Sequence, residues 1–289
     1  MIDRYQLRYF LAVVDQGNFS RAAAQCHVSQ PTLSVGIAKL ERDIGATLFL
    51  RSSQRVQLTQ AGSQFLAHAR RIENEFNLAV QAVTGGVQPS ILRIGILRSI
   101  PGASLAQAMA LMRAFDPAAR VELVEGTERE LINHVARGRV DCALMLVARG
   151  GDRFLEEPLF EEGYSLALPA DHAAAGSKVV SAEAVALDVM IVRRHCEVLS
   201  ETSRYFTERG IRPHFAYRSI NDERVLQQVG VGLGVTVMPD SYRADQVVRV
   251  RLAGFDLCRA IGLVYGATAE ALAVSPPPAI LALRNVFGT

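Results

Sequence analysis

Phe19-Ser20-Arg21-Ala22-Ala23-Ala24-Gln25-Cys26-His27-Val28-Ser29-Gln30-Pro31-Thr32-Leu33-Ser34 is the stretch on which the fold turns. Phe19, Ala22, Ala23 and Cys26 fall at i, i+3, i+4 and i+7, so they make one apolar stripe, and the alanines let another helix approach closely. Asn18 can cap this short helix. Cys26-His27-Val28 forms a turn. Ser29 can then accept the first free amides of a further helix, whose first turn holds Pro31 with no amide to leave unpaired. Along that helix Leu33, Ile37, Leu40 and Ile44 must face inward, which turns Gln30, Thr32, Ser34 and Val35 outward. Gln can read adenine and hydroxyls can read either strand, so a short-chained polar edge on the second of two helices suits a major groove. An ordinary helical hairpin has the same periodicity, so the helices alone leave both readings open.

The flanks add to this. Upstream, Leu7, Phe10, Leu11 and Val14 repeat the helical spacing. Downstream, Leu48-Phe49-Leu50-Arg51 and Val56-Gln57-Leu58 flank Ser52-Ser53-Gln54 as a small β-wing carrying Arg51 and Arg55. Paired arginines there suit phosphates or a minor groove. Alone they would be two solvated charges; directly after the helix pair, the wing reading is favoured. Thr59 caps a long helix in which Phe65, Ala69, Ile72, Phe76, Ala79 and Val83 alternate four and three apart, a heptad seam. At about 1.5 Å per residue, positions 61 to 84 span roughly 36 Å, enough to pair with a twin chain. The same stripe could lie on the next domain instead.

With 289 residues, 49% apolar and 21% charged, the chain can bury a sizeable core in about two domains, which excludes simple disorder. No apolar run approaches the roughly 20 residues of a bilayer crossing, and Met-Ile-Asp-Arg-Tyr-Gln lacks a secretory opening, so a cytoplasmic location is expected. Residues 1–88 carry nine Arg or Lys against six Asp or Glu, a basic excess that permits a nucleic-acid partner without arguing one. Cys26, Cys142, Cys196 and Cys258 are too far apart for a zinc ribbon or a redox pair, and the histidines lack ligand spacing. No metal and no cofactor is expected.

Taken together, these residues resemble the LysR-type transcriptional regulators over essentially the whole chain. The specific part is Phe19 to Ala23, His27 to Ser34, Ile37, Leu40-Glu41, Ile44-Gly45, Leu48-Phe49, Arg51 and Leu58-Thr59-x-Ala61-Gly62. Cys26 stands where the family usually has Leu and reads as a small apolar substitute. The resemblance implies an α/β protein with an all-α start. It comprises a winged helix-turn-helix domain (1–60), a linker and dimerisation helix (61–88) and a two-lobed effector domain (89–289) like the type 2 periplasmic binding proteins. It places Gln30, Pro31, Thr32, Ser34 and Val35 at bases or groove walls, Lys39, Arg51 and Arg55 near phosphates, and Ser20 and Arg21 at the DNA backbone. Some members carry a longer polar or basic side chain at the position of Val35. It further implies a homodimer or homotetramer on an interrupted inverted repeat in promoter DNA, a small-molecule effector and RNA polymerase as partners, no membrane, and no enzymatic activity.

After Gly85, Gly86 and Pro89 the pattern changes to α/β. Strand 92–96, helix 102–115, strand 121–125, helix 128–137 and strand 141–147 make a right-handed βαβαβ unit. A second begins near Tyr164, with strands 164–168, 189–193, 214–218 and 235–238 and helices near 197–209 and 222–229. Residues 257–265 then return the chain, and 279–287 form a closing helix. Lobe I is expected at 91–161 and 267–289, lobe II at 162–266. Ligands in such clefts bind where strands end and helices begin, and free amides there favour a small anionic metabolite. Ser99 can donate to a carboxylate and cap the helix, beside Arg98 and Ile100; a plain N-cap is the alternative. Met145, Val147, His195, Cys196, Ser219, Ile220 and Asn221 join by similar placement. Cys196 follows Arg193, Arg194 and His195 at a helix start, surroundings that lower a thiol's pKa. The peroxide-sensing branch of the family has such a His-Cys pair and a second cysteine about one helix later; here the next is Cys258. A thiol-based oxidative-stress sensor is thus the alternative to a packed or cleft-lining thiol. A catalytic Cys196-His195 pair lacks a third orienting group, and Gly230-x-Gly232-x-Gly234 precedes a strand, which is wrong for a nucleotide loop.

Overall fold

A computed structural model describes residues 2–51, 56–84, 91–149, 153–267 and 269–288. Helices α1 (Arg4–Gln16), α2 (Phe19–Gln25) and α3 (Gln30–Ile44) bury their apolar stripes in one core around Phe10, Leu33 and Ile37. Their ends follow local chemistry: Asn18 Oδ1 accepts the amides of Ser20 and Arg21 at 2.8 and 3.1 Å, and Ser29 Oγ that of Thr32 at 3.2 Å. Gly45 closes α3 at φ 78°, which glycine adopts freely. Strands β1 (Phe49–Arg51) and β2 (Val56–Leu58) pair antiparallel as the wing. The Glu41 carboxylate accepts the amides of Leu48 and Phe49 at 2.8 and 3.2 Å, tying the wing to α3. The long helix α4 (Gln60–Thr84) starts where Thr59 Oγ1 accepts the Gly62 amide at 2.9 Å. Only glycine fits at 62, since a Cβ would lie 2.1 Å from the Leu48 carbonyl oxygen.

In the first lobe, β3 (Ile91–Leu97), β4 (Arg120–Gly126) and β5 (Cys142–Leu146) run parallel in the order β4-β3-β5, linked by α5 (Gly102–Phe115) and α6 (Glu128–Ala136). The strand expected at 164–168 is instead the back half of the 15-residue β6 (Leu155–Pro169). The second lobe continues with β7 (Val179–Val180), β8 (Met190–Arg193), α7 (Leu199–Thr207), β9 (Phe215–Ser219), α8 (Asp222–Gly230), β10 (Thr236–Pro239) and β11 (Val247–Leu252). The chain returns through β12 (Cys258–Tyr265) and ends in α9 (Ala271–Val274) and α10 (Pro278–Phe287).

The front of β6 pairs with β12 and its back half lies between β10 and β11, so one strand serves both lobes. Ile261 to Tyr265 pair with β5 and pack into the first core, which puts the return crossing inside β12, ahead of the boundary expected at 266. Strand β11 escapes a reading by apolar runs because Arg249 and Arg251 interrupt it. Arg249 is nonetheless inward, donating to the carbonyls of Ser165 and Tyr242 at 3.0 and 3.1 Å. Among the described residues no helix is long and apolar enough to cross a membrane.

Candidate nucleic-acid interface and effector cleft

On α3, Leu33, Ile37 and Leu40 are fully buried, and this turns Gln30, Pro31, Thr32 and Val35 into solvent with Ser34 half-buried beside them. Gln30 Nε2 donates to Ser34 Oγ at 2.9 Å, and the Ser29 and Thr32 hydroxyls lie 2.8 Å apart. These groups are held in position yet keep donors and acceptors for an incoming edge. Lys39 and Ser20 are exposed. Arg21 is exposed too, with Nη2 donating to the Gln16 carbonyl at 2.8 Å. Arg55 and the side chain of Arg51 lie outside the described residues, as does the side chain of Val83.

The linker seam divides. Phe65 packs its ring 5.1 Å from Phe10, and Ala69 is fully buried beside Leu66 in the core of the first domain. These two, expected to meet a twin chain, are used within their own, because the first turns of α4 complete a core that three short helices cannot close. Beyond them Ile72, Phe76 and Ala79 are exposed. The Arg4 guanidinium sits 4.9 Å over the Phe76 ring and pairs with Glu73 at 2.9 Å.

Between the lobes, the centre is Arg259 on β12, 2% exposed. Its Nη1 donates to Ser99 Oγ at 2.7 Å and to Glu197 Oε1 at 2.9 Å, and its Nη2 to Glu162 Oε1 at 2.7 Å and the Ser99 carbonyl at 3.0 Å. Ser99 Oγ also donates to Glu197, which ties the first lobe to the second. Glu162 further accepts the Ser241 amide at 2.6 Å. At the start of α5 the Gly102 amide is taken by Glu223 Oε1 of α8 at 3.0 Å. At the strand end where an anion was expected stand two carboxylates of the same chain, Glu197 at Ser99 and Glu223 at the Gly102 amide. Ser99 does not cap α5, whose N-cap is Pro101, because its hydroxyl is drawn to Glu197 and Arg259.

Other expected cleft residues lie elsewhere. Arg98 pairs with Glu130 of α6 at 3.4 Å. Ile100, Met145 and Val147 are buried in the first core, since their apolar side chains follow the inner face of that sheet. Ile220 is exposed, while the Ser219 hydroxyl and Asn221 side chain hold local amides and start α8. Next to the cleft, Arg193 and Asp222 form a buried two-bond pair; Nε donates to Oδ1 at 2.8 Å. Burial alone would raise the Asp222 carboxyl, but the Arg193 guanidinium and the neighbouring His195 ring together more than offset it and hold the pKa down at about 2. His195 Nε2 stands 3.6 Å from Asp222 Oδ2, with neither ring nitrogen hydrogen-bonded. Arg193 Nη1 donates to Cys196 Sγ at 3.3 Å. Contrary to the expectation of a lowered pKa, burial pushes the Cys196 thiol up, and Glu197 adds to it against Arg193. All four cysteines are free, and among the described residues no cluster could hold a metal ion.

The residues missed were Glu162, Glu197, Asp222, Glu223 and Arg259. One signal was present: Arg259 is a lone charge in the otherwise apolar run 258–265, and a charge on a buried strand requires partners. Nothing in the sequence said which carboxylates those were.

A winged helix-turn-helix, a long helix and two lobes crossed by shared strands define the architecture of a DNA-binding regulator with a two-lobed second domain. A family model described as "Bacterial regulatory helix-turn-helix protein, lysR family" matches residues 5–63, and one described as "LysR substrate binding domain" matches residues 86–277. The chain belongs to the LysR family of transcriptional regulators. It is 29% identical to the DNA-binding transcriptional dual regulator OxyR of Escherichia coli K12 over 268 residues, 90% of this chain and 88% of that one. It is 31% identical to the Hca operon transcriptional activator HcaR of the same organism over 257 residues, 86% of each chain. Its fold is similar to that of a full-length OxyR variant from Pseudomonas aeruginosa, with TM-score 0.73, 22% identity and coverage of 98% of this chain and 95% of that one. Full-length CbnR in complex with its target DNA has TM-score 0.56, 21% identity and coverage of 99% and 98%. LysR-family regulators are not enzymes; they bind promoter DNA, often as tetramers, and take a small-molecule effector.

Proposed function

We propose that the chain is a cytoplasmic, ligand-responsive regulator of an interrupted inverted repeat, and that its effector is a small anionic metabolite received between the lobes. The observation that carries the effector is Arg259: a buried guanidinium and the Ser99 hydroxyl already grip a carboxylate, that of Glu197. An effector carboxylate takes the place of Glu197, and the lobes rotate about β6 and β12 as that contact breaks. The exposed seam from Ile72 to Ala79 pairs two chains, so lobe movement resets the spacing of their recognition helices and the promoter's availability to RNA polymerase.

The effector test is a titration of mono- and dicarboxylates against promoter binding and bending. Ser99→Ala should lose the response and Glu197→Gln should lower the concentration required. A panel with no active member, or an unaltered response in both variants, ends this reading. The DNA face is tested apart: Gln30→Ala should weaken promoter binding by roughly 1–3 kcal/mol with oligomer mass unchanged, and full binding would remove Gln30 from the interface.

A second reading, thiol-based oxidative-stress sensing through Cys196, draws on the Arg193 N–H directed at its sulfur and on relatives such as the probable hydrogen peroxide-inducible genes activator of Mycobacterium avium, 30% identical over 269 residues. The raised thiol pKa counts against it, since the thiolate is the reactive form. Peroxide treatment followed by whole-protein mass decides: an unmodified Cys196 alongside a metabolite response discards it.

A further inference from the structure

A separate hollow of about 390 Å³ lies in the second lobe beneath α7, between that helix and β8, β9 and β10. Its size falls within the roughly 300–1,000 Å³ of small-molecule sites. The walls are Met190, Ile191, Phe206, Pro213, Phe215 and Val237, and no carboxylate lines it among the described residues. At one edge Arg212 is exposed and takes part in no ion pair or hydrogen bond among the described residues. Arg193 and Cys196 also line it. An apolar chamber with, among the described residues, one cation at its wall that is free of ion pairs selects a molecule that is apolar along its body and anionic at one end. A fully polar anion would strip water for no compensating contact, and a neutral hydrocarbon would leave Arg212 unused.

We propose that this chamber is a second ligand site, distinct from the cleft at Arg259, and that it takes a small carboxylic acid with an aryl or alkyl body whose carboxylate pairs with Arg212. Occupancy is transmitted along a short covalent and hydrogen-bonded route. Arg193 holds Asp222 at the start of α8, and Cys196 precedes Glu197, the residue that bridges the lobes. A body wedged beneath α7 presses on the loop carrying Glu197, so the chamber ligand alters how readily the cleft opens.

The test uses the full chain with 4-phenylbutyrate and its uncharged counterpart 4-phenylbutanol, followed by calorimetry and by the rate of iodoacetamide alkylation at Cys196, mapped apart from the exposed Cys258. Saturable 4-phenylbutyrate binding should slow Cys196 alkylation at least tenfold. Arg212→Ala should weaken 4-phenylbutyrate at least tenfold and leave 4-phenylbutanol within twofold. Ser203→Phe, which fills the mouth from an exposed position on α7, should abolish binding of both probes while the unfolding midpoint is kept. Ser99→Ala, which loosens the cleft, should change both affinities only a few-fold, the reciprocal of the coupling between the two sites. Absence of saturable binding, indifference to Arg212→Ala, or loss of binding in Ser99→Ala would each overturn the chamber assignment, the last by moving the ligand to the cleft. The first two outcomes leave the carboxylate response through Glu197 standing, and the third would assign 4-phenylbutyrate to that cleft.

Discussion

The outer edge of α3 and the cleft around Arg259 are both polar, and they are built on opposite terms. The α3 edge is exposed, made from residues within one and a half turns, and its groups keep hydrogen-bonding capacity free for a partner. The cleft draws Ser99, Glu162, Glu197 and Arg259 from across 160 positions of the chain and satisfies them internally. A surface that reads DNA can stay open because water occupies it until the partner arrives. A buried charge cannot wait unpaired, so Arg259 must hold carboxylates of its own chain. The first kind of site costs the fold little, whereas the second is bound up with its stability.

The strongest way to break that contrast is Arg259→Ala. It leaves Glu162 and Glu197, only 7% and 5% exposed at the side chain, facing each other without a cation. Removing one member of a buried pair costs about 3–5 kcal/mol, so the unfolding midpoint should fall by roughly 10 °C. Adding Glu162→Gln and Glu197→Gln should recover most of the loss, since the stranded charges are then gone. A fall of only a degree or two would mean that the cleft is wetter and looser than its hydrogen bonds indicate.

Asp222 should report the same principle through pH. Its ordinary pKa of 3.8 is held down to about 2 in the fold, so the unfolded chain binds the proton first. The stability contributed by the pair is complete above about pH 4 and is lost as pH falls toward 2, about 2 kcal/mol in all. Urea unfolding between pH 5 and pH 2.5 should fall more steeply for the wild type than for Asp222→Asn. The variant is weaker at every pH, because Arg193 is left unpaired, but it lacks this titration. Parallel profiles would show that Asp222 and Arg193 are not coupled as placed.

How far each region could be read from sequence follows the same division. Caps, turns and stripes depend on residues within a few positions, so Asn18, Ser29 and Thr59 were legible one by one, and with them the outward edge of Gln30 to Val35. The parallel βαβ units of the first lobe were legible by period. The single strand from Leu155 to Pro169 was not, because Pro158 and Gly163 read as breaks, whereas in the fold Pro158 lies opposite a register shift at Gly262 and Gly163 leaves room for Asp240. The dimer seam misled at Phe65 and Ala69, since a heptad records an apolar face without naming what covers it. In the cleft, placement at a strand end found Ser99 and passed over Glu197 and Arg259, whose meeting depends on two chain crossings that no local pattern encodes.

A smaller effect belongs to Ser29→Ala. Losing the oxygen that accepts the Thr32 amide should cost about 1 kcal/mol. The amino-terminal turn of α3 should fray, with faster amide exchange at Thr32 and Leu33 and weaker promoter binding, while the unfolding of the effector lobes is unmoved. An equal loss in both domains would mean that they unfold as one unit.

Least should follow from Arg204→Ala. Arg204 and Glu208 lie one turn apart on the outer side of α7, 3.8 Å between charges, with side chains 69% and 64% exposed. It is the same pairing of guanidinium and carboxylate as at Arg259, but in water, and such helix pairs contribute only about 0.3–0.5 kcal/mol. Added salt should erase even that, because exposed charges are screened within about 10 Å at 0.1 M. Arg259→Ala should keep its full penalty in the same buffer, so a double-mutant cycle at low and high salt on both pairs separates the effect of burial from that of charge. If Arg204→Ala proved as costly as Arg259→Ala, or if salt relieved both alike, pairing itself would be the source of stability. The cleft would then have no reason to retain Glu197.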